Sequence, residues 1–446
     1  MITGPLLLLL ILASILLIIL CTAKFKLHPF LALIVASLFL GITVNIPLRD
    51  IIASMQKGFG GIMSYIGMIV VFGSVIGVFL EKSGGALKIA QSIIKFTGEK
   101  RTIPAISLIG AVVSVPVFCD SGFILLSGLV DKLSKLSNTT KASLSLSLAT
   151  GLYTTHTLIP PTPGPIAAAG NIGASNYLGT MILLGLLISV PTLLITQLLS
   201  KRLGKNINTS TIQNWHNTKR TAPDTMPTLT KALIPLLFPI LLIAFGTISR
   251  LVNIQNEWIN FMSDPVIAIF LGAISAMLFL PPKKTEELNT WFTEAVKVSG
   301  PILIITAAGG AFGGVLKATP LSSYVGEWMT AGASGDILVL LLIFSIAAVL
   351  KSAQGSSTSS MVITSSLLAP LLPILEWDSA MQFALAVLVI GGGAMTVSHF
   401  NDSYFWVVSQ FSGMSAKQTS RSFTIITAVQ GISVLLFSIL IWILFV

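Results

Sequence analysis

The sequence predicts an all-α polytopic membrane protein built as two inverted repeats, each of five transmembrane helices and one re-entrant hairpin. Three observations carry that expectation. The 446-residue chain is 54% apolar and 9% charged, against about 25% charged residues in a soluble domain. Its basic residues fall in short loops between apolar runs. A shift of 236 residues lays one half of the chain over the other. The net charge of +10 therefore reads as membrane topology and not as a nucleic-acid surface.

A crossing helix needs about 20 apolar residues. Eight stretches meet this plainly: 3–22, 29–47, 62–80, 177–200, 232–250, 265–281, 298–316 and 422–445. Two more, 142–170 and 380–407, are long and interrupted, which makes ten. The first stretch lacks a basic leading region, so it reads as a retained span and not a cleaved signal. Cys21 and Cys119 both lie in apolar segments and give neither a disulfide framework nor metal-ligand spacing.

Two further stretches, 102–130 and 337–372, carry polar, glycine-containing centres, "FCDSGF" and "KSAQGSSTSS". Each is either a long crossing helix or a hairpin that enters and leaves by one side. Charge counting favours hairpins. With both folded back, 21 of the 26 basic residues fall on the cytoplasmic side, while the acids outside the membrane split seven and seven, as expected when only Lys and Arg are sorted. Both termini then lie outside. The expected division is a first repeat over 1–200 with hairpin 102–130, a cytoplasmic linker over 201–231, and a second repeat over 232–446 with hairpin 337–372. The shift places Pro29 on Pro265, Gly73 on Gly309, Gly77 on Gly313, and Asp120 on Ser356.

Each repeat contains two interruptions. They are the tip "FCDSGF" (118–123), "HTLIPPTPGP" (156–165), the tip "GSSTSS" (355–360) and "SHFNDSYF" (398–405). Irregular backbone at membrane depth survives only where protein or a wet cavity satisfies it. Helix N-termini at such breaks offer free N–H groups and partial positive charge to an anion. The predicted substrate site is therefore Ser121, Gly122, Thr162, Gly164, Ser356, Ser357, Thr358, Asn401 and Ser403. It suits a small polar anion such as a hydroxylated carboxylate. Asp120 and Asp402 are the two acids placed within the membrane. An ionised acid there is costly unless it has a partner or a task. The readings are that one or both carry a coupling proton, that Asp120 binds sodium, or that it ties down the hairpin tip. His156 and His399 flank two breaks and either relay protons or hold structure by hydrogen bonds. Lys351 either pairs with substrate or snorkels outward. Ser143, Ser147, Thr150 and Thr154 share one helical face, whose hydroxyls either bond back to their own backbone or line a path.

The stretches "KFKLHPFLAL", "VFCDSGFILL", "PPTPGPIAAAG", "GGAFGGVLK" and "NDSYFW" together resemble the gluconate permease family of proton symporters, related to the ion transporter superfamily. The resemblance spans nearly the whole chain. It implies a homodimer in a bacterial inner membrane, with a scaffold and a mobile transport domain working as an elevator, and proton-driven uptake of a sugar acid. The chain departs from the family pattern at two points. Thr162 stands where gluconate and D-serine members carry His, and the hairpin acid is Asp120 where Glu is common. Gluconate, a glycerate and a threonate are all open as substrates. A sodium-coupled or uncoupled carboxylate transporter is the alternative. No His-Glu-x-x-His zinc motif and no phosphate loop is present, so neither an embedded enzyme nor an ATP-driven pump is expected, nor any metal or cofactor.

Overall fold

In the computed structural model the structure describes residues 1–98, 101–137, 139–207, 209, 226–251, 254, 256–282, 285–321, 335–400 and 402–446. Helix follows apolar run, and proline sets several of the starts. Pro5, Pro29, Pro163 and Pro265 each occupy a first helical turn, where the missing N–H costs nothing.

The first half runs α1 (Pro5–Ile19), α2 (Pro29–Thr43), α3 (Leu48–Lys82), α4 (Gly85–Thr97), α5 (Thr102–Val113), α6 (Cys119–Leu136), α7 (Lys141–Leu158), α8 (Pro163–Asn171) and α9 (Leu178–Gly204). The second half runs α10 (Leu229–Leu251), α11 (Glu257–Ser263), α12 (Pro265–Phe279), α13 (Thr285–Lys317), α14 (Asp336–Gln354), α15 (Ser357–Leu368), α16 (Leu372–Leu375), α17 (Ala380–Met395), α18 (Ser403–Ser412) and α19 (Ala416–Phe445). Most of the expected linker lies outside the described residues.

The 236-residue shift carries α2 onto α12 with identical bounds, α3 onto α13, α7 onto α17 and α9 onto α19 within a few residues. The start signals correspond too. His28 Nδ1 accepts from Phe30 N, and Asp264 Oδ1 accepts from Val266 N, each just before the proline. Two corresponding pairs run antiparallel against each other. On α3 and α13, Gly58 lies against Gly310 and Ser54 against Gly314. A Cβ on Gly58 would collide with the Gly310 carbonyl, so only glycine permits this backbone contact. Lys82 and Glu294 close the far end at 2.7 Å. On α7 and α17, the Gly391 position meets the Thr157 carbonyl, and Tyr153 reaches Ala394 O.

Among the described residues six helices are long and apolar enough to cross a membrane, or up to eight with bent pairs counted as spans. Ten were expected. Three of those ten are not among the eight: α2 has only 15 residues, and the interrupted stretches divide into the shorter helices α7–α8 and α17–α18, while α14, expected as a hairpin limb, is counted instead. Two expected spans are only the C-terminal parts of longer helices: α3 has 35 residues and α13 has 33. Their extra turns carry Arg49, Asp50, Lys57, Glu286 and Glu287, which an apolar-run search rejects. A straight helix of that length, about 50 Å at 1.5 Å per residue, overruns the hydrocarbon; α3 bends by 41° between Leu48–Ser64 and Ile66–Lys82.

Residues 102–139 fold back on themselves. Ser147 Oγ of α7 donates to Ile103 O, and Gly151 lies against Ser107, so α5 runs parallel to α7. Lys141 pairs with Asp131 at 2.7 Å, and Gly122 packs on Leu152, so α6 runs antiparallel to α7. The limbs α5 and α6 are therefore opposed, and the hydroxyls of Thr102 and Thr139 meet at 3.1 Å across the base. The second half repeats the shape. Ser360 Oγ of α15 donates to Ala347 O of α14 at 2.6 Å, and Trp377 Nε1 donates to Asp336 at 3.0 Å across the base. The turn uses Gly355 at φ 77°, the left-handed conformation that glycine adopts freely. The limb α14 is itself long enough to pass the span test.

The closed base is directly testable. With Cys21 and Cys119 replaced by Ala, the pair Thr102→Cys and Thr139→Cys should form an intramolecular disulfide under mild oxidation, read as a linked peptide pair by mass spectrometry. Reactive single cysteines that never link as a pair would contradict the fold-back.

Candidate functional site

All four breaks end in a helix N-terminus: α6 after Phe118, α8 after Thr162, α15 after Ser356 and α18 after Asp402. The cause differs in each case. At the second break Pro160, Pro161, Pro163 and Pro165 withhold amide donors. At the third, Gly355 reverses the chain. At the fourth, Thr396 and Asp402 take extended backbone around the turn.

The four N-termini are not capped alike. Ser356 Oγ accepts from Ser359 N, and Asp402 Oδ1 accepts from Tyr404 N. Neither α6 nor α8 has a side-chain cap. The Thr162 hydroxyl instead donates to Ile159 O at 2.5 Å. The two uncapped ends share a small cleft lined by Ser74, Pro116, Phe118, His156, Pro161 and Thr162. Ser74 Oγ and His156 Nδ1 are buried there without a hydrogen-bond partner among the described residues. Asp120 Oδ1 at the first turn of α6 is likewise buried and unpartnered, while Oδ2 faces Cys119 Sγ at 3.8 Å.

Beside this cleft lies a buried ion pair. Lys351 Nζ donates to Asp402 Oδ2 at 2.6 Å and to Gly355 O at 2.9 Å. The two side chains are 1% and 4% exposed. Ser398 Oγ also donates to Asp402 Oδ2. The ammonium stands 5.6 Å from the centre of the Tyr153 ring, a favourable cation–π placement. Tyr153 Oη shares a 2.7 Å hydrogen bond with Ser357 Oγ. Tyr404 Oη donates to Ala149 O, and its ring meets Phe123 and Tyr153. Asp120, Lys351 and Asp402 feel one another's charge. His156 lies one turn along α7 from Tyr153, which sets the cleft and the ion pair side by side.

The structure thus brings together Asp120, Asp402, His156, Thr162 and Ser357. Gly164 packs against Met361 and Thr358, joining the second break to the second tip. Gly122 is a packing glycine against Leu152. Ser121 and Thr358 are half-buried near their tips, and Ser403 is exposed. His399 is a tether, with Nε2 2.9 Å from Ser352 O. Asn401 lies outside the described residues. Lys351 does not snorkel; it points inward. The hydroxyl face of α7 is structural: Thr150 and Thr154 donate back to Leu146 O and Thr150 O, and Gln430 of α19 donates to Thr154 Oγ1 at 2.6 Å. Tyr153, Ser74 and Asn171 are additions that the sequence reading did not contain. Asn171 Nδ2 donates to Ser365 and Ser366 and fastens α8 to α15.

A family model for the GntP family permease matches residues 6–444 of this chain. The gluconate permease of Pseudomonas aeruginosa is 29% identical over 429 residues, covering 94% of this chain and 93% of that protein. The D-serine transporter DsdX of Escherichia coli K12 is 29% identical over 432 residues, covering 95% of both. Among solved structures the YdaH transporter of Alcanivorax borkumensis superposes with a TM-score of 0.68 at 15% identity, covering 94% of this chain and 98% of that one.

A buried pair that loses one partner leaves an uncompensated charge, at a cost of about 3–5 kcal/mol. Lys351→Met should therefore lower the thermal midpoint of the purified protein strongly. Lys351→Met with Asp402→Asn should recover most of that loss. Equal midpoints for the single and double variants would show that the two charges do not meet.

Proposed function

On the premise that the chain belongs to the GntP family of permeases, we propose that it imports a small sugar acid or hydroxy acid across a bacterial inner membrane by proton symport. It is a multi-pass transporter and not an enzyme. The observation that carries the reading is the three-charge cluster of Asp120, Lys351 and Asp402 where the broken helices meet. The cluster carries a net charge of about −1 when all three groups are ionised. A substrate anion alone would raise that to about −2 in a water-poor site, where Coulomb repulsion is weakly screened. An anion arriving with one proton restores the charge of the empty site. Coupling of this kind is reciprocal, because each ligand improves the binding of the other.

The substrate docks at the cleft by the uncapped ends of α6 and α8, which is about water-sized as it stands and has to widen to admit it. Ser74, Thr162 and His156 face its hydroxyls, together with Ser121 and the Gly164 amide. Ser356, Ser357 and Thr358 approach from the opposite tip, with Asn401 and Ser403 at the fourth break. Relatives named for gluconate and for D-serine share a small, hydroxyl-bearing carboxylate, a class that includes short acids such as glycerate and threonate. Asp120 and Asp402 take the coupling proton, with His156 beside them and His399 holding the fourth break.

Several features support inverted repeats with re-entrant hairpins at 102–130 and 337–372: matched helix bounds, antiparallel counterparts and hydrogen-bonded hairpin bases. An elevator is supported by the contact between the rods and the broken elements. Gly73 and Gly77 of α3 meet the Pro161 and Pro116 carbonyls, and Gly309 and Gly313 of α13 meet Val362 and Ser366. Each pair lies four residues apart, and the shift superposes them. Glycine on the rod side leaves no side chain there to interlock, which lets one unit slide past the other. The scaffold is then α3 and α13 with the outer helices, and a homodimer would join two scaffolds.

Uptake of labelled gluconate, glycerate and threonate into membrane vesicles should follow an inward pH gradient and collapse with a protonophore. Accumulation that follows sodium instead would refute the proton reading. Asp120→Asn should lose gradient-driven accumulation while keeping exchange of internal for external substrate; normal accumulation would remove Asp120 from the coupling path.

A further inference from the structure

Resting on the transport reading above, we propose that Lys351 is the anchor for the substrate's carboxylate and that Asp402 holds its place in the empty site. The ion pair joins the second hairpin tip to the fourth break. Nζ lies at the turn between α14 and α15, held among the described residues by the Gly355 carbonyl and Asp402. An ammonium has three donors, so one is left without an acceptor among the described residues, on the side of the Tyr153 ring. Asp402, by contrast, is well provided without Lys351. Ser398 Oγ donates to Oδ2 and Tyr404 N to Oδ1. It can release the ammonium and keep two hydrogen bonds, whereas Lys351 can release Asp402 only to another anion.

The surroundings fit a hydroxy acid. Tyr153 Oη and Ser357 Oγ form a hydrogen-bonded couple beside the ammonium. Both amide atoms of Gln354, one residue before the turn, are buried and unpartnered among the described residues. A carboxylate on Lys351 places the adjacent hydroxyl-bearing carbons against these groups, with the rest of the chain running toward His156 and Ser74. Binding is then an exchange of one carboxylate for another. The hairpin tip is bound to the α18 break when the site is empty and to the substrate when it is full.

The test uses the purified full-length protein and radiolabelled D-gluconate, D-glycerate and L-threonate, taking whichever the wild type accumulates in vesicles. Lys351→Met should weaken equilibrium binding at least about tenfold, as expected for loss of a hydrogen bond to a charged group. The double variant Lys351→Met with Asp402→Asn should regain thermal stability yet still fail to bind. Asp402→Asn alone removes the internal competitor and should bind as tightly as the wild type or more tightly. Wild-type affinity in the double variant would overturn the proposal, because a pair that only braces the fold can be replaced without loss. Asp402→Asn weakening binding as much as Lys351→Met would also overturn it. A wild type that accumulates none of the three acids would bring down the transport reading itself. Transport by the wild type together with binding by the double variant would sink the Lys351 assignment alone.

Discussion

A lysine and an aspartate 2.6 Å apart in an apolar bundle are the constraint on which the rest of this site depends. Such pairs seldom earn their place through stability, since desolvating two charges roughly cancels their attraction. A pair of leucines would pack the same volume with no such cost. What keeps this one viable is broken backbone. The Gly355 carbonyl is available because α14 ends there, and the Tyr404 amide because α18 begins there. The helix breaks that create unsatisfied polar groups thus also supply the partners that let charge exist at this depth.

The two halves use this arrangement differently. In the second half both N-termini are capped by side chains, and the ion pair closes one break onto the other. In the first half both N-termini lack side-chain caps and adjoin a cleft holding unpartnered Ser74 and His156. Asp120 stands between, with one oxygen unpartnered. A pseudo-symmetric fold thereby yields an asymmetric site, with fixed charge on one side and open donors on the other. The superposition of Asp120 on Ser356 in sequence marks the same division: an acid on one tip, a capping hydroxyl on the other.

Much of the fold was legible because its signals are one-dimensional. Apolar runs locate rods, and the proline cluster at 160–165 and the polar runs at 118–123, 355–360 and 398–405 locate breaks. The shift places α2 on α12 to the residue. The polar ends of α3 and α13 were not legible, because their charged turns resemble loops until a partner helix is known to cover Gly58 and Gly310. In the site, acids were easy to find in an apolar background, and Asp402 and Asp120 do converge. Their cation was harder. Lys351 lies 51 positions before Asp402, and no local pattern distinguishes an inward lysine from a snorkelling one. Tyr153 and Ser74 carried no signal of their own. One follows a threonine-rich face that turns out to be packing, and the other belongs to a rod read only as a span.

The same geometry bears on how a charged solute crosses. A rocking bundle would open a path through the centre and flood the Lys351–Asp402 pair with water on each cycle. Their attraction would weaken with each opening, since it depends on the low dielectric around them. If instead the broken helices travel as one body, the ion pair keeps its surroundings, and the cleft changes only on its α3 wall, where Ser74 stands. Gly73, Gly77, Gly309 and Gly313 lie where such a body would meet its support, and each presents backbone where a side chain would interlock. Asn171 fastens α8 to α15, His399 fastens the fourth break to α14, and Gln430 fastens α19 to α7. These ties run among the broken elements and α19 and do not reach α3 or α13. Polar stitching within the broken elements and glycine contact at their edge is the distribution of forces that the proposed elevator requires.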